Sequence, residues 1–136
     1  MDGLATFGSN FGPQETMDRL DAAIKAKGMS VFARINHSEL AAGAGLRLRS
    51  TEVIIFGNPL AGTPLMRSNQ TIGIDLPLKA LVWEDDSGKV WLSYNEIQWL
   101  AKRHGIQVAE GITNKIDLAL RSIAAEATGS ISQSAP

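Results

Sequence analysis

Apolar residues recur along the chain with two spacings, one typical of helices and the other typical of strands. A helical stripe follows Pro13 and consists of Met17, Leu20, Ala23 and Ile24. Alternation over Met29–Asn36 predicts a strand. The run Glu52–Phe56 is continuously apolar after its first residue. It predicts a central strand covered on both faces, with Ile54 and Ile55 both almost fully buried.

The second half of the chain continues this mixture. Alternation over Thr71–Asp75 predicts a further strand with Ile72 and Ile74 facing inward. The segment Ala80–Tyr94, with a polar turn at its middle, predicts a β-hairpin. A helix after Asn95 and a last helix from Thr113 to Ala127 complete the elements.

Interleaved helices and strands that include a hairpin predict an α+β fold in two layers. We expect one mixed β-sheet covered by helices, with a hairpin, a helix and a second helix at the carboxyl end. Residues 4–127 are predicted to form a single domain. Residues 128–136 are small and polar, and they are predicted to be a disordered tail.

Composition narrows the class of protein. The 136 residues carry 13 basic and 14 acidic side chains, so a field that attracts nucleic acid is not expected. There is no cysteine, which excludes disulfides and thiolate chemistry. No apolar run approaches the ~20 residues of a membrane helix, so no membrane partner is expected. Without a visible secretory signal we expect a cytoplasmic protein. No cofactor and no metal are predicted.

Several sequence blocks, taken together, resemble a known family. They are Phe32–His37, Phe56–Met66, Asp75–Pro77, Asp86–Trp91 and Tyr94–Asn95, in that order. With these blocks the chain resembles the DUF302 family over roughly residues 5 to 127. The resemblance implies a small α+β domain, often dimeric, and it implies no activity. Asn36 stands where family members commonly have an acid, which weakens any function that needs an Asp–His pair.

The segment from Gly57 to Met66 is the first candidate site. Asn58 and Thr63 are both helix-capping residues, and Thr63–Pro64 predicts the start of a short helix. Open backbone N–H groups at such a start favour an anion, and Gly62 has no Cβ to block a ligand. The alternative is a purely structural crossover with two capped turns.

Three other residues are candidates for the same site. His37 follows one predicted strand, and Gly57 follows another. If those strands were parallel neighbours, His37 would face a cleft whose other wall is the Gly57–Met66 turn. There it would act as a general base or a metal ligand. Arg47 could bind an anion together with Arg49, and Asp75 could face the turn. Each has a structural alternative, as has His104 at a predicted helix end.

Two functions from different classes remain open on these residues. The first is a non-enzymatic domain that binds or senses a small molecule, an anion among the candidates, through Asn58, Gly62, Thr63, Arg47 and Asp75. The second is a small enzyme that uses His37. The missing nucleophile and missing paired carboxylates favour the first. Tryptophans at 83, 91 and 99 exceed what a small monomer core needs, so we expect a homodimer.

Overall fold

The fold is seen in a computed structural model, which describes residues 1–107 and 110–129. Its elements, in chain order, are β1 (Leu4–Gly8), α1 (Pro13–Ala26), β2 (Ser30–Asn36), α2 (His37–Gly43), β3 (Thr51–Gly57), α3 (Pro59–Ser68), a 3₁₀ helix (Gln70–Ile74), β4 (Leu78–Glu84), β5 (Val90–Asn95), α4 (Ile97–Arg103) and α5 (Glu110–Thr128).

The five strands form one sheet in the order β1-β5-β4-β3-β2, and every neighbouring pair is antiparallel. The α+β class, the two layers and the carboxyl-terminal hairpin, helix and helix are confirmed. The expected mixed sheet is wrong, because the apolar pattern of a single strand does not fix the direction in which it pairs with its neighbour. The central strand is β4, and β3, which contains Glu52–Phe56, lies between β4 and the edge strand β2.

One face of the sheet, the inner face, packs against α1 and α5 and forms the core. Ile54 and Phe56 point to this face and are fully buried. Ile55 points to the other face and is only half-buried, so the expectation that both isoleucines are buried holds for Ile54 alone. Tyr94 also faces the core, and burial raises its pKa to about 12.

The opposite, outer face of the sheet carries half-buried apolar side chains. Trp83 and Trp91 stack there with ring centroids 6.3 Å apart. The indole N–H of Trp83 donates to the Ser93 hydroxyl at 3.0 Å, and that of Trp91 donates to the Asp85 carboxylate at 2.8 Å. This bond is the main reason why the pKa of Asp85 is lowered. The tryptophans therefore belong to a surface rather than to the core.

Two segments differ from the sequence-based expectation. The predicted strand Thr71–Asp75 is a 3₁₀ helix, with Ile72 buried and Ile74 largely exposed. Residues two apart lie on different sides of a three-residue turn, so one isoleucine faces inward and the other outward. At the carboxyl end, α5 continues through Thr128, which is buried and was expected in the tail. The rest of that tail, residues 130–136, lies outside the described residues.

Candidate functional site

Helix α3 begins directly after β3 because Asn58 caps it. The Asn58 side-chain oxygen accepts the N–H of Leu60 at 2.9 Å, and Pro59 occupies the first helical position. Thr63–Pro64, which we expected at the helix start, lies inside α3. That expectation was wrong because Asn58–Pro59 offers the same cap-then-proline signal five residues earlier. The chain thus turns sharply at Gly57 and lays α3 beside the end of the sheet.

A cavity of about 450 Å³ lies at this end of the sheet. It is lined by Gly57 and Leu78 of the sheet, and by residues of α3 and α5. The apolar side chains around it include Met29, Leu65, Met66, Leu76, Ile116 and Leu120. This volume falls within the ~300–1,000 Å³ of typical small-molecule sites, which are mostly apolar with a few polar groups.

Two charged residues of the described chain line this cavity, and both are lysines. Lys27 is the C-cap residue that follows α1, and Lys115 lies near the start of α5. Both are exposed, and among the residues that the structure describes no carboxylate belongs to the lining. Among the ion pairs of the described residues, none involves either lysine. The cavity therefore has a positive rim and an apolar interior.

The backbone of α3 does not supply free N–H groups to this cavity. The Leu60 N–H is capped by the Asn58 side chain, and the N–H groups of Ala61 and Gly62 both bond to the Asn58 carbonyl. Pro59 has no N–H group. The polar groups that remain are side chains: the Asn58 amide NH₂ and the Thr63 hydroxyl have no hydrogen-bond partner among the described residues.

Of the residues expected at one site, Asn58, Gly62 and Thr63 are brought together by the cavity, and His37 and Arg47 are not. β2 and β3 are antiparallel, so His37 lies beyond the Asn36–Glu52 pair, whereas Gly57 pairs with Ser30 at the opposite end. Glu52 and Gly57 are about 17 Å apart along β3, at roughly 3.4 Å per residue. The predicted cleft between His37 and the Gly57–Met66 turn does not form.

Asn36 and His37 lie at the other end of the sheet, where α2 begins. Asn36 caps α2 by accepting the N–H of Glu39 at 3.0 Å, which is a structural reason for an amide before the histidine. His37 is exposed on the first turn of that helix. Arg47 lies with Arg49, Trp83 and Asp86 around a shallower depression, where Arg49 forms an ion pair with Asp86 at 3.2 Å.

Asp75 has a different environment from the one expected. Its carboxylate accepts hydrogen bonds from Arg103 Nη1 at 2.9 Å and from His104 Nε2 at 2.5 Å. His104 Nδ1 lies 2.9 Å from the Thr71 hydroxyl, and the His104 carbonyl accepts from the Asn69 side chain at 2.7 Å. We call these five residues the Asp75 cluster. It fastens the 3₁₀ helix to the end of α4 and fixes Leu76, which lines the cavity.

In the Asp75 cluster, hydrogen bonds connect a carboxylate to a histidine and that histidine to a hydroxyl. The same order of groups is found in sites of nucleophilic catalysis. The Thr71 hydroxyl, however, donates to the Asn69 side-chain oxygen at 2.9 Å. The His104 side chain is 8% exposed, with both of its ring nitrogens partnered. The arrangement is therefore that of a structural fastening between two segments.

Sequence reasoning missed Lys27, Lys115 and the partnership of Asp75 with His104. The spacing of Lys115, Ile116, Ala119 and Leu120 carries a weak signal, because a small alanine interrupts the large apolar residues of a helical stripe. Lys27, by contrast, has no signal beyond its place before a helix-ending glycine. The Asp75–His104 contact joins residues 29 positions apart, which no local pattern specifies.

Comparison with known proteins adds a family and a fold. A family model described as "Domain of unknown function DUF302" matches residues 5–123. The crystal structure of an uncharacterized conserved DUF302 protein from Bacillus stearothermophilus superposes with a TM-score of 0.83. It is 20% identical, and the match covers 93% of this chain and 99% of that one. At this identity the likeness shows the fold alone.

Curated relatives carry a longer sequence. The chain is 50% identical over 113 residues to proteins named "Fluoride-specific ion channel FluC 1" in Brucella suis and Brucella abortus. The match covers 83% of this chain but only 44% and 42% of those proteins. The chain thus spans less than half the length of these relatives. Within residues 1–107 and 110–129, none of the helices is both long and apolar enough to span a bilayer.

Proposed function

The chain belongs to the DUF302 family, and we propose that it is a non-enzymatic domain that binds a small molecule in the cavity beside α3. The observation that carries the proposal is an apolar cavity of about 450 Å³ with polar and charged groups at its rim. Such a combination of apolar walls and a few polar groups is typical of ligand sites. Asn58 and Thr63 would orient the ligand, and Gly62 would leave it room.

The proposal favours binding over catalysis for a chemical reason. As far as the structure describes the lining, it contains neither a histidine nor a carboxylate, which are the most usual general acids and bases. Thr63 has a hydroxyl, which would need a neighbouring base to become a nucleophile. Among the lining residues that the structure describes, the basic ones are Lys27 and Lys115, and both are exposed. The alternative of an enzyme built on His37 has no support from the position of that residue.

Filling the cavity tests the proposal. Ala119→Phe would place a ring in the cavity from α5, whereas Leu118→Phe adds a ring to an exposed neighbour on the same helix. We expect the wild type and Leu118→Phe to bind the neutral fluorescent probe N-phenyl-1-naphthylamine. Ala119→Phe should bind it at least tenfold more weakly. Equal binding by all three proteins would contradict the proposal, provided that circular dichroism shows each to be folded.

We further propose that the chain forms a homodimer through the outer face of the sheet. Half-buried Val53, Ile55 and Leu81 form an uncharged patch there. Lys79 lies at one end of β4, and the acidic turn of Asp85 and Asp86 lies beyond the other end. When two copies stack with antiparallel β4 strands about a twofold axis that passes near Val82, each Lys79 faces the acidic turn of the partner copy. Apolar contact and opposite charges thus favour the same arrangement.

Sedimentation equilibrium tests the dimer. A stable interface should bury at least ~1,000 Å² in total, and a lysine at its centre should prevent association. Leu81→Lys should therefore be a monomer at tens of micromolar, where the wild type is a dimer. Leu118→Lys, on the exposed side of α5, is the matched control and should remain dimeric. A monomeric wild type would remove the proposal. A cytoplasmic location stays a prediction.

The Brucella relatives favour a second candidate function, a module attached to an anion channel. Their names say that those proteins are fluoride-specific channels, and a stretch like this chain makes up less than half of each. We propose that such a stretch regulates the channel rather than conducts. Removing the matching stretch from the Brucella suis protein should leave fluoride efflux from liposomes intact. Loss of efflux in a correctly folded truncated channel would contradict this.

A further inference from the structure

We propose that the ligand of the cavity is an amphipathic anion, a single-chain carboxylate whose apolar body lies inside and whose charged end lies at the rim. This inference rests on the proposed binding function and adds the chemical class of the ligand. It is carried by the sign of the charges around the cavity and by the volume of its interior.

The charges at the rim of the cavity decide which end of a ligand the rim can accept. Lys27 and Lys115 come from different helices, α1 and α5, which pack against each other along the inner face. Two cations that have no ion-pair partner among the described residues lie beside an apolar interior, where they repel a cationic ligand and attract an anionic one. No acid belongs to the lining within the described part of the chain, so no described lining residue offsets this preference. The Asn58 amide NH₂ and the Thr63 hydroxyl add donors that a carboxylate can use.

The volume of the cavity limits the size of the ligand's apolar body. A volume of about 450 Å³ equals that of roughly 15 water molecules in the liquid, at about 30 Å³ each. A ligand of about 10 to 15 non-hydrogen atoms therefore fits. Decanoate, with 12, is within this range, whereas a two-chain phospholipid is several times too large. The proposal accordingly commits to a free amphiphile and not to a membrane surface.

The test crosses two ligands with two sets of variants. Decanoate and decan-1-ol have the same chain, but only decanoate is charged at pH 7. In calorimetric titrations below the critical micelle concentration, we expect the double variant Lys27→Gln/Lys115→Gln to bind decanoate about tenfold more weakly than the wild type. Each exposed ion pair contributes a modest free energy, and because the two free energies add, their effects on the binding constant multiply. Decan-1-ol should bind both proteins within about twofold.

The control variant has the same net charge as the Lys27→Gln/Lys115→Gln variant. Lys25→Gln/Lys102→Gln also removes two lysines from α1 and α4, but neither residue lines the cavity. It should bind decanoate as the wild type does. In the wild type, added salt should weaken decanoate binding more than decan-1-ol binding, since screening acts on the charged end. Vesicles of anionic phospholipid should not retain the protein on flotation.

The outcomes separate this inference from the proposed function. If the Lys27 and Lys115 variant binds both ligands like the wild type, the anionic class is wrong and the cavity remains a binding site for neutral molecules. If decanoate binding falls equally in the control variant, the effect is one of net charge, which also overturns the inference. If neither decan-1-ol nor N-phenyl-1-naphthylamine binds the wild type, the proposed function itself fails.

Discussion

The cavity and the Asp75 cluster are adjacent regions that share the segment after α3. The polar side chains of the cluster have hydrogen-bond partners, whereas the side-chain donors at the rim of the cavity do not have them among the described residues. In the cluster, the carboxylate, both ring nitrogens of the histidine and the threonine hydroxyl all have partners within 3.2 Å. In the cavity, two lysines, an amide and a hydroxyl face an apolar space without partners among the described residues. A saturated polar group stabilises the fold, whereas an unsaturated rim around a cavity is available to a ligand.

The largest effect on stability is expected from a substitution that breaks the Asp75 cluster. Asp75→Ala removes the carboxylate that accepts hydrogen bonds from Arg103 and His104. The His104 side chain is nearly buried. We expect the free energy of unfolding to fall by about 2 kcal/mol, because a buried donor is left without its partner. Urea denaturation measures this directly.

The matched control for that prediction is an exposed acid. Asp86→Ala also removes an ion pair, with Arg49, but Asp86 is fully exposed. Its effect on unfolding should stay within about 0.5 kcal/mol. Similar losses for Asp75→Ala and Asp86→Ala would mean that the cluster does not fasten the fold and that the contrast with the cavity is wrong.

A smaller effect distinguishes the two capping candidates of α3. Asn58→Ala removes the observed cap and should cost about 1 kcal/mol of stability. Thr63→Ala should change stability by less than about 0.5 kcal/mol, since Thr63 lies inside the helix and its hydroxyl has no partner. Thermal melts of the two variants check this. The reverse order would restore a helix start at Thr63.

The smallest effect is expected at His37. Since this residue is exposed and lies at the far end of β3, His37→Ala should leave stability within about 0.5 kcal/mol of the wild type. The binding of N-phenyl-1-naphthylamine should also be unchanged. A loss of probe binding in a folded His37→Ala variant would show that the site includes the far end of the sheet.

Much of the fold could be predicted because its signals are local. Pro13 and the stripe of α1, the turn of the hairpin and the helical spacing of α5 each depend on neighbours within a few residues. The direction of strand pairing could not be predicted, because side chains point to alternate faces with the same two-residue period in parallel and antiparallel strands. The placement of His37 depended on that direction, and it failed for this reason.

The candidate site could be predicted in part. Asn58, Gly62 and Thr63 stand within one short segment, so their proximity follows from the sequence alone. Lys27 and Lys115 reach the same cavity only because α1 and α5 pack side by side, a long-range contact that no motif marks. The role of Asp75 was hidden similarly, since its partners Arg103 and His104 come from α4.

The central claim is that a small molecule binds in the cavity beside α3, and methyl NMR tests it most directly. In a titration of the wild type with decanoate, the account predicts shifts concentrated on the methyl groups of Met29, Met66, Leu76 and Leu120, which line the cavity. Methyl groups of Val53 and Leu81 on the outer face should not move. Shifts centred on the outer face, or no shifts at millimolar decanoate, would contradict it.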